Sequence, residues 1–256
     1  MKILALETSA KSVSVALTED EVLLSSAFQY SGLTHSRTLM PMVQALLENA
    51  EMDLSQVDGF AVAAGPGSFT GLRIGISAVK GLAWSLDKPC CGVSTLEAMA
   101  RNLQHMDAML ICAMDARRQQ VYNALFDASC GCLKRLSPDR PIGLEELAEE
   151  VQGKDSTKNK IIVGDGAQLC YTYFMEHHIP CRLAPAQLRM QSAYGVALAA
   201  LQGPWVPAQQ LSPSYLRLSQ AERERARRLA LQEENGGSVP PVSPTHSFTN
   251  GGSCDV

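Results

Sequence analysis

The sequence lacks several patterns that mark common functional classes. It holds eight cysteines among 256 residues, but no two of them form the Cys-x-x-Cys pair of a zinc ribbon. Charged residues make up 19% of the chain and the formal net charge is −4, so the strong basic surplus of many nucleic-acid-binding proteins is missing. If RNA is involved, we therefore expect a partner protein to make most of the contacts with it.

Targeting and membrane segments are also missing from the sequence. No apolar run approaches the roughly 18 residues of a membrane helix, and Glu7 interrupts the first apolar run too early for the core of a signal peptide. The pair Cys130 and Cys132 is compatible with a metal or redox site, but two thiols beside a turn is the simpler interpretation. Free thiols without an export signal predict a reducing, cytoplasmic location and no membrane partner.

What the sequence does have is the hydrophobic pattern of an α/β protein. Hydrophobic residues make up 46% of the chain, enough for one or two compact domains. Short apolar runs predict strands over 3–6, 13–17, 22–28, 60–64, 90–93, 109–114, 121–126 and 161–163, with a further one at Leu133. Helical spacing predicts helices over 35–50, 70–85, 96–103, 144–151, 169–175 and 193–201, with Thr34 and Ser94 as suitable caps for the first and third.

The order of these elements repeats along the chain. Three strands, a helix, a strand and a helix open the sequence, and a looser version of the same order follows. This predicts two related α/β lobes, over 1–104 and 105–231, the second of which carries the terminal helices. Residues 232–256 are rich in Gly, Ser and Pro and cannot bury enough apolar area to offset the entropy of ordering, so we expect a disordered, dispensable tail.

Two glycine-rich turns are candidates for binding phosphate. The first, over 7–12, puts Thr8 and Ser9 at a strand turn, where hydroxyl and backbone N–H groups can cradle an anion. The second, over 65–73, puts Gly65 and Gly67 at a strand-to-helix junction, although it lacks the Gly-Lys-Ser/Thr of a Walker loop. A satisfied polar hairpin and a tight turn with close helix packing are the alternative interpretations.

Several stretches, taken in order, resemble the TsaB family, which is also called YeaZ. They are residues 3–9, His35-Ser36 with Leu39 and Pro41, 64–80, 115–118 with Val121-Tyr122, 164–166 and 213–217. The matching stretches span residues 1–220, and the segment from Gly65 to Arg73 with its following helix is the most specific of them. The resemblance implies the actin/Hsp70/sugar-kinase (ASKHA) fold with two actin-like lobes.

The resemblance also implies a function without catalysis. TsaB proteins resemble their partner, the TsaD enzyme, which transfers threonylcarbamoyl to an adenosine of tRNAs reading ANN codons and holds a metal with a His-x-x-x-His pair and an aspartate. Alignment on the Gly-Pro-Gly turn places Thr95 and Met99 at the histidine positions and Ala193 near that of the aspartate. Because none of these suits the expected metal, we expect no metal, no catalytic residue and a scaffold role in t6A formation.

The pairing known for the family extends this expectation to partners. The helices 35–50 and 70–85 would pair with TsaD, or with a second copy of the chain when it is alone; the complex would recruit the TsaE ATPase and hold tRNA indirectly. The residues expected at this surface are His35, Leu39, Met40, Val43, Gly71, Gly75 and Ala78. Glycines inside a helix suggest that another backbone approaches closely, although packing against the chain's own sheet is the alternative interpretation. We expect no cofactor of the chain's own, with ATP or ADP bound weakly at the two turns or at the partner interface.

The competing hypothesis is an enzyme of the same fold that acts alone, either a nucleotide-dependent phosphotransferase or a glycoprotease-like peptidase. Its candidate residues are His35, His177, His178, Ser9, Ser12 and Ser68. No His and Asp arrangement that would activate a serine is discernible.

The arginines of 222–228 are candidates for phosphate contacts, with a solvated helix of paired charges as the simpler interpretation. Between the two hypotheses, Thr95, Met99 and Ala193 at the metal-ligand positions favour the non-catalytic scaffold over the enzyme.

Overall fold

The computed structural model describes residues 1–154 and 158–217, together with Arg228. The chain divides into one compact unit over Met1–Arg217 and a second over Leu218–Val256. The predicted tail 232–256 and the arginines that precede Arg228 lie outside the described residues. In the described ranges, no helix combines the length and apolar character needed to cross a bilayer.

The first sheet has a fully buried strand near its centre. Its strands are β1 (Lys2–Glu7), β2 (Val13–Glu19), β3 (Val22–Gln29), β4 (Gly59–Gly65) and β5 (Cys90–Ser94), in the order β3-β2-β1-β4-β5. Strand β1 pairs antiparallel with β2 and parallel with β4, every residue of which is buried. A strand covered on both faces has a continuous apolar sequence, which is why the pattern located β4.

The second sheet repeats the topology of the first. Its strands are β6 (Met109–Asp115), β7 (Gln120–Asp127), β8 (Lys134–Arg135), β9 (Arg140–Gly143), β10 (Lys160–Val163) and β11 (Arg182–Leu183). Their order is β8-β7-β6-β10-β11, with β9 paired to β7. Strand β6 pairs antiparallel with β7 and parallel with β10, as β1 does with β2 and β4. The predicted α/β fold with two related lobes is confirmed.

Helices cover both faces of each sheet. They are α1 (His35–Asn49), α2 (Phe69–Leu86), α3 (Thr95–Arg101), α4 (Leu144–Gly153), α5 (Ala167–Glu176) and α6 (Ala193–Ala200). Helices α1 and α2 pack on one face of the first sheet and α6 on the other, because alternate residues of β1 point to opposite sides. Helices α4 and α5 cover one face of the second sheet and α3 the other. Helices α3 and α6 also contact each other, so this pair lies between the lobes.

The predicted lobe boundary at 104/105 falls between α3 and β6. Helix α6 lies on the C-terminal side of that boundary, yet it packs on the first sheet. The chain then returns to the edge of this sheet, where Val206 bridges Cys90 of β5. The division into an N-terminal and a C-terminal lobe by sequence position stays a prediction.

Most predicted elements lie within one or two residues of their observed bounds. Strand β8 begins at Lys134, one residue after Leu133, and β9 and β11 were not predicted, since a few residues are too short to show a period of two. Thr34 precedes α1, but its side chain makes no capping hydrogen bond. Ser94 does cap α3, because its hydroxyl accepts from the Glu97 N–H at 3.1 Å.

Candidate functional site

The first predicted phosphate turn packs directly against the start of α2. Thr8 is fully buried, and its hydroxyl donates to the carbonyl of Gly71 at 2.8 Å. The Ser9 N–H donates to Glu7 Oε1 at 2.5 Å, and the Ser9 carbonyl accepts from the Ser68 N–H at 2.7 Å. The polar groups of this turn are therefore engaged largely within the chain.

The second predicted turn, Gly65 to Ser68, lies against the first. The peptide bond between Gly65 and Pro66 is cis, and Gly65 has a positive φ of 135°. A Cβ on Gly67 would stand 2.6 Å from the Ser9 carbonyl oxygen, and one on Gly65 would clash with the carbonyl of Ser214. The structure thus brings Thr8, Ser9, Gly65 and Gly67 together. Weak nucleotide binding by these residues stays a prediction.

Beside these turns lies a largely buried cluster of polar side chains, Glu7, Ser9, Asp165 and Gln191, which we call the polar chamber. Gln191 Nε2 donates to Asp165 Oδ1 at 2.8 Å. Glu7 Oε2, Ser9 Oγ and Gln191 Oε1 are buried and meet no hydrogen-bonding partner among the described residues. The sequence gives no sign of Gln191 as a site residue, because a single glutamine between helices carries no pattern.

Burial controls the charge in this chamber. The pKa of Glu7 is raised to about 7: burial is the largest cause, the Asp165 carboxylate acts in the same direction, and the hydrogen bond from the Ser9 N–H acts against both. Burial also raises the pKa of Asp165 above its ordinary value, opposed by the hydrogen bond from Gln191. The chamber is therefore a poor place for two full negative charges, and near neutral pH Glu7 is partly protonated.

No nucleophile with an activating base is assembled from the candidate residues in the described part of the chain. His35 Nε2 donates to the carbonyl of Ala10 at 2.7 Å, not to a serine. Ser12 donates to the Gln191 carbonyl, and Ser68 caps α2 by accepting from the Gly71 N–H. His177 stacks on Tyr173 and bonds its carbonyl. These histidines and serines have structural contacts.

The three positions expected to match metal ligands are core positions. Thr95, Met99 and Ala193 are each at most 1% exposed. Met99 packs with Leu96 and Leu110, and the Ala193 N–H donates to Ser14 Oγ at 2.7 Å. Nowhere in the residues described do three or more His, Cys, Asp or Glu side chains form a group that could hold a metal. A hydroxyl, a thioether and a methyl group do not fit the ion that the transferase holds.

The predicted interface residues separate into buried and exposed sets. Leu39, Val43, Gly71 and Gly75 are buried. A Cβ on Gly71 would clash with the Thr8 carbonyl, and one on Gly75 with the Thr8 hydroxyl. The inference that these two glycines admit another protein's backbone is therefore wrong, since the backbone that approaches them is the chain's own.

Members of both sets line a groove between α1 and α2. The groove encloses about 540 Å³ and is lined by Ser36, Leu39, Met40, Phe69, Thr70, Arg73, Ile74, Ser77 and Ala78. Met40 is 43% exposed and Ala78 is partly buried. Of the predicted interface residues, Leu39, Met40 and Ala78 thus meet at one surface, whereas His35, Val43, Gly71 and Gly75 do not line it.

Known proteins are similar to this chain in sequence and in fold. The model of the family described as TsaD, tRNA N6-adenosine threonylcarbamoyltransferase, matches residues 29–180. The tRNA threonylcarbamoyladenosine biosynthesis protein TsaB of Bacillus subtilis is 39% identical over 155 residues, which is 60% of this chain and 68% of that protein. This chain belongs to the TsaB (YeaZ) family.

Other relatives agree with this membership. The Escherichia coli TsaB protein is 38% identical over 124 residues, 48% of this chain and 53% of its own length, so the chain spans about half of that relative. The structure of YeaZ from Pseudomonas aeruginosa matches with a TM-score of 0.69 and 31% identity, covering 84% of this chain and 99% of that one. The TsaB fold therefore extends over most of the described residues.

Proposed function

We propose that this chain is a non-catalytic subunit for the formation of t6A in tRNA. The names of its TsaB relatives support the pathway, and the match to the TsaD family supports descent from a common ancestor with the transferase. The observation that carries the absence of catalysis is the burial of Thr95, Met99 and Ala193 in the core, where the resemblance puts metal ligands.

The partner we propose is a TsaD-type threonylcarbamoyltransferase that docks in the α1–α2 groove. The groove is apolar around Met40, Phe69 and Ile74, with Arg73 exposed beside them. Interfaces combine such an apolar centre with a polar rim. A TsaE-type ATPase would join this pair in the cytoplasm, tRNA would be held through the complex, and a second copy of the chain would take the groove when the transferase is absent.

Helix α2 offers a suitable surface on its outer side. Thr70, Arg73, Ser77, Gly81 and Trp84 are exposed and follow one another at helical spacing. A Cβ on Gly81 would meet nothing within 4 Å. A partner helix can therefore approach closely at Ser77 and Gly81, which replace Gly71 and Gly75 as the small residues of the proposed interface.

Substitution of Met40 by glutamate tests this surface. Met40→Glu should weaken pairing with the cognate TsaD-type protein by about 100-fold or more, because an unpaired carboxylate would be buried in the interface. The fold should survive, since Met40 is 43% exposed. Pairing is measured by titration calorimetry, t6A formation by nucleoside mass spectrometry, and folding by circular dichroism.

Met175→Glu is the matched control, because Met175 is 49% exposed and lies on α5 of the other lobe. It should leave both pairing and t6A formation unchanged. A folded Met40→Glu protein that pairs normally would show that the groove is not the docking surface. Full t6A formation by the transferase in the absence of this chain would refute the subunit role itself.

A further inference from the structure

A short segment near the end of the compact unit crosses from one lobe to the other. We call residues 213–217 the strap. Its first part is fixed to the first lobe: the Ser214 N–H donates to the carbonyl of Ala64 at 2.8 Å. Tyr215 stacks on Phe69 with 4.7 Å between ring centroids, and its hydroxyl accepts from Arg73 Nε at 3.1 Å. These contacts hold the strap at the end of β4 and the first turns of α2.

The last residue of the strap is fixed to the second lobe. Arg217 donates to the carbonyl of Ala116 at 3.1 Å and to the side-chain oxygen of Gln120. Its guanidinium also lies over the ring of Tyr122, 5.5 Å from the centroid. Ala116 and Gln120 stand at the two ends of the turn between β6 and β7, so Arg217 clamps this turn.

The clamped turn has an unfavourable backbone. Arg117, Arg118 and Gln119 have φ values of 64°, 54° and 56°. Successive left-handed residues with side chains cost energy and persist only where neighbouring contacts hold them. Backbone hydrogen bonds close the turn at its base and tie the Gln119 carbonyl to the Leu144 N–H at 3.2 Å. The side-chain contacts are the Arg117 N–H to Asp115 Oδ1 bond at 2.7 Å and the two bonds from Arg217. Of these contacts, those from Arg217 are the ones that tie the turn to the strap, and their loss would leave the turn held by its local bonds and by Leu144.

We propose that the strap is a latch that holds the cleft between the lobes closed over the polar chamber. The chamber takes Glu7 and Ser9 from the first lobe and Asp165 from the second, with Gln191 between them. Separation of the lobes brings solvent or a polar ligand to the buried oxygens that lack partners. The latch contacts lie at the surface, where Tyr215 is 39% exposed, so they release without unfolding either lobe.

Hydrogen exchange on the full chain tests the latch. Arg217→Ala should accelerate amide exchange about tenfold in peptides covering 5–12, 114–121 and 163–167, because two anchoring hydrogen bonds are lost. Exchange in the C-terminal half of α4 and in β3 should stay unchanged, because neither makes a hydrogen bond to the clamped turn among the described residues. Arg182→Ala on the exposed edge strand β11 is the matched control and should alter none of the three cleft peptides.

Release of the other anchor gives an independent check. Tyr215→Ala should produce the same exchange pattern as Arg217→Ala, and Tyr215→Phe, which keeps the stack on Phe69, should give a smaller acceleration. Unchanged exchange in the cleft peptides of both alanine variants would overturn the proposal. An equal acceleration in every peptide, α4 included, would also overturn it, because the strap would then support general stability and not cleft closure.

Discussion

Glu7 is a buried acid whose ionisation opposes folding. It is 1% exposed, and burial raises its pKa from 4.5 to about 7. When the pKa of a carboxyl group is higher in the folded state than in the unfolded state, its contribution to stability is fully present at pH values below the unfolded-state pKa. This contribution is lost as the pH rises through the folded-state pKa. The relevant window for Glu7 therefore runs from about pH 4.5 to somewhat above pH 7.

Replacing Glu7 by glutamine removes this titration. Gln can keep the acceptor for the Ser9 N–H, and it stays neutral at all pH values. We expect Glu7→Gln to gain stability relative to the unmodified chain as the pH rises. The difference in the free energy of unfolding, variant minus unmodified chain, should increase by about 3 kcal/mol between pH 4.5 and pH 8. Urea unfolding at several pH values measures the difference.

Glu145→Gln provides the control for this experiment, because Glu145 is an exposed residue in the first turn of α4. Its unfolding curve should keep the pH dependence of the unmodified chain. If the Glu7→Gln difference is the same at pH 4.5 and pH 8, the side chain is not held in its protonated form by burial.

At the scale of elements, two of the three glycines in α2, Gly75 and Gly81, have opposite surroundings. Gly75 faces β1 and β4, where a Cβ would stand 3.1 Å from Val62 Cγ2 and clash with the Thr8 hydroxyl, whereas a Cβ on Gly81 meets open space. Gly75→Ala should destabilise the chain by about 1–2 kcal/mol, because overpacking outweighs the gain in helix propensity.

Gly81→Ala should instead stabilise the chain by about 0.5–1 kcal/mol, since only the propensity gain remains. Urea unfolding of both variants gives the two signs in one experiment. Equal effects of the two substitutions would mean that the strand ends do not crowd Gly75.

These glycines also show what the sequence of an element can predict. The positions of α2 and β4 follow from apolar spacing, because each element buries a regular set of side chains. The neighbour that crowds Gly71 and Gly75 does not follow, since Thr8 lies more than sixty residues away along the chain. Glycine content predicted a close approach, and only the fold identifies which backbone approaches.

At the scale of the whole molecule, the candidate site comes from three distant parts of the chain. Glu7 ends β1, Asp165 follows β10, and Gln191 precedes α6. The repeated order of elements predicts two lobes. It could not place Gln191 between them, nor show that the strap contacts both lobes, because both depend on how the last elements return across the lobes.

The return of α6 to the first sheet has a consequence for independent folding. Residues 1–104 contain all five strands of that sheet but not α6, whose residues Val196 and Ala197 cover Ile3 and Ala61. A fragment of 1–104 would expose this apolar face to water, at a cost of about 25 cal/mol for each Å² uncovered. We therefore expect the fragment to show no sharp thermal transition, whereas the chain shortened to residues 1–231 should melt cooperatively. Circular dichroism melting of both proteins measures this, and a cooperative transition of the 1–104 fragment would establish the first lobe as a unit that folds without α6.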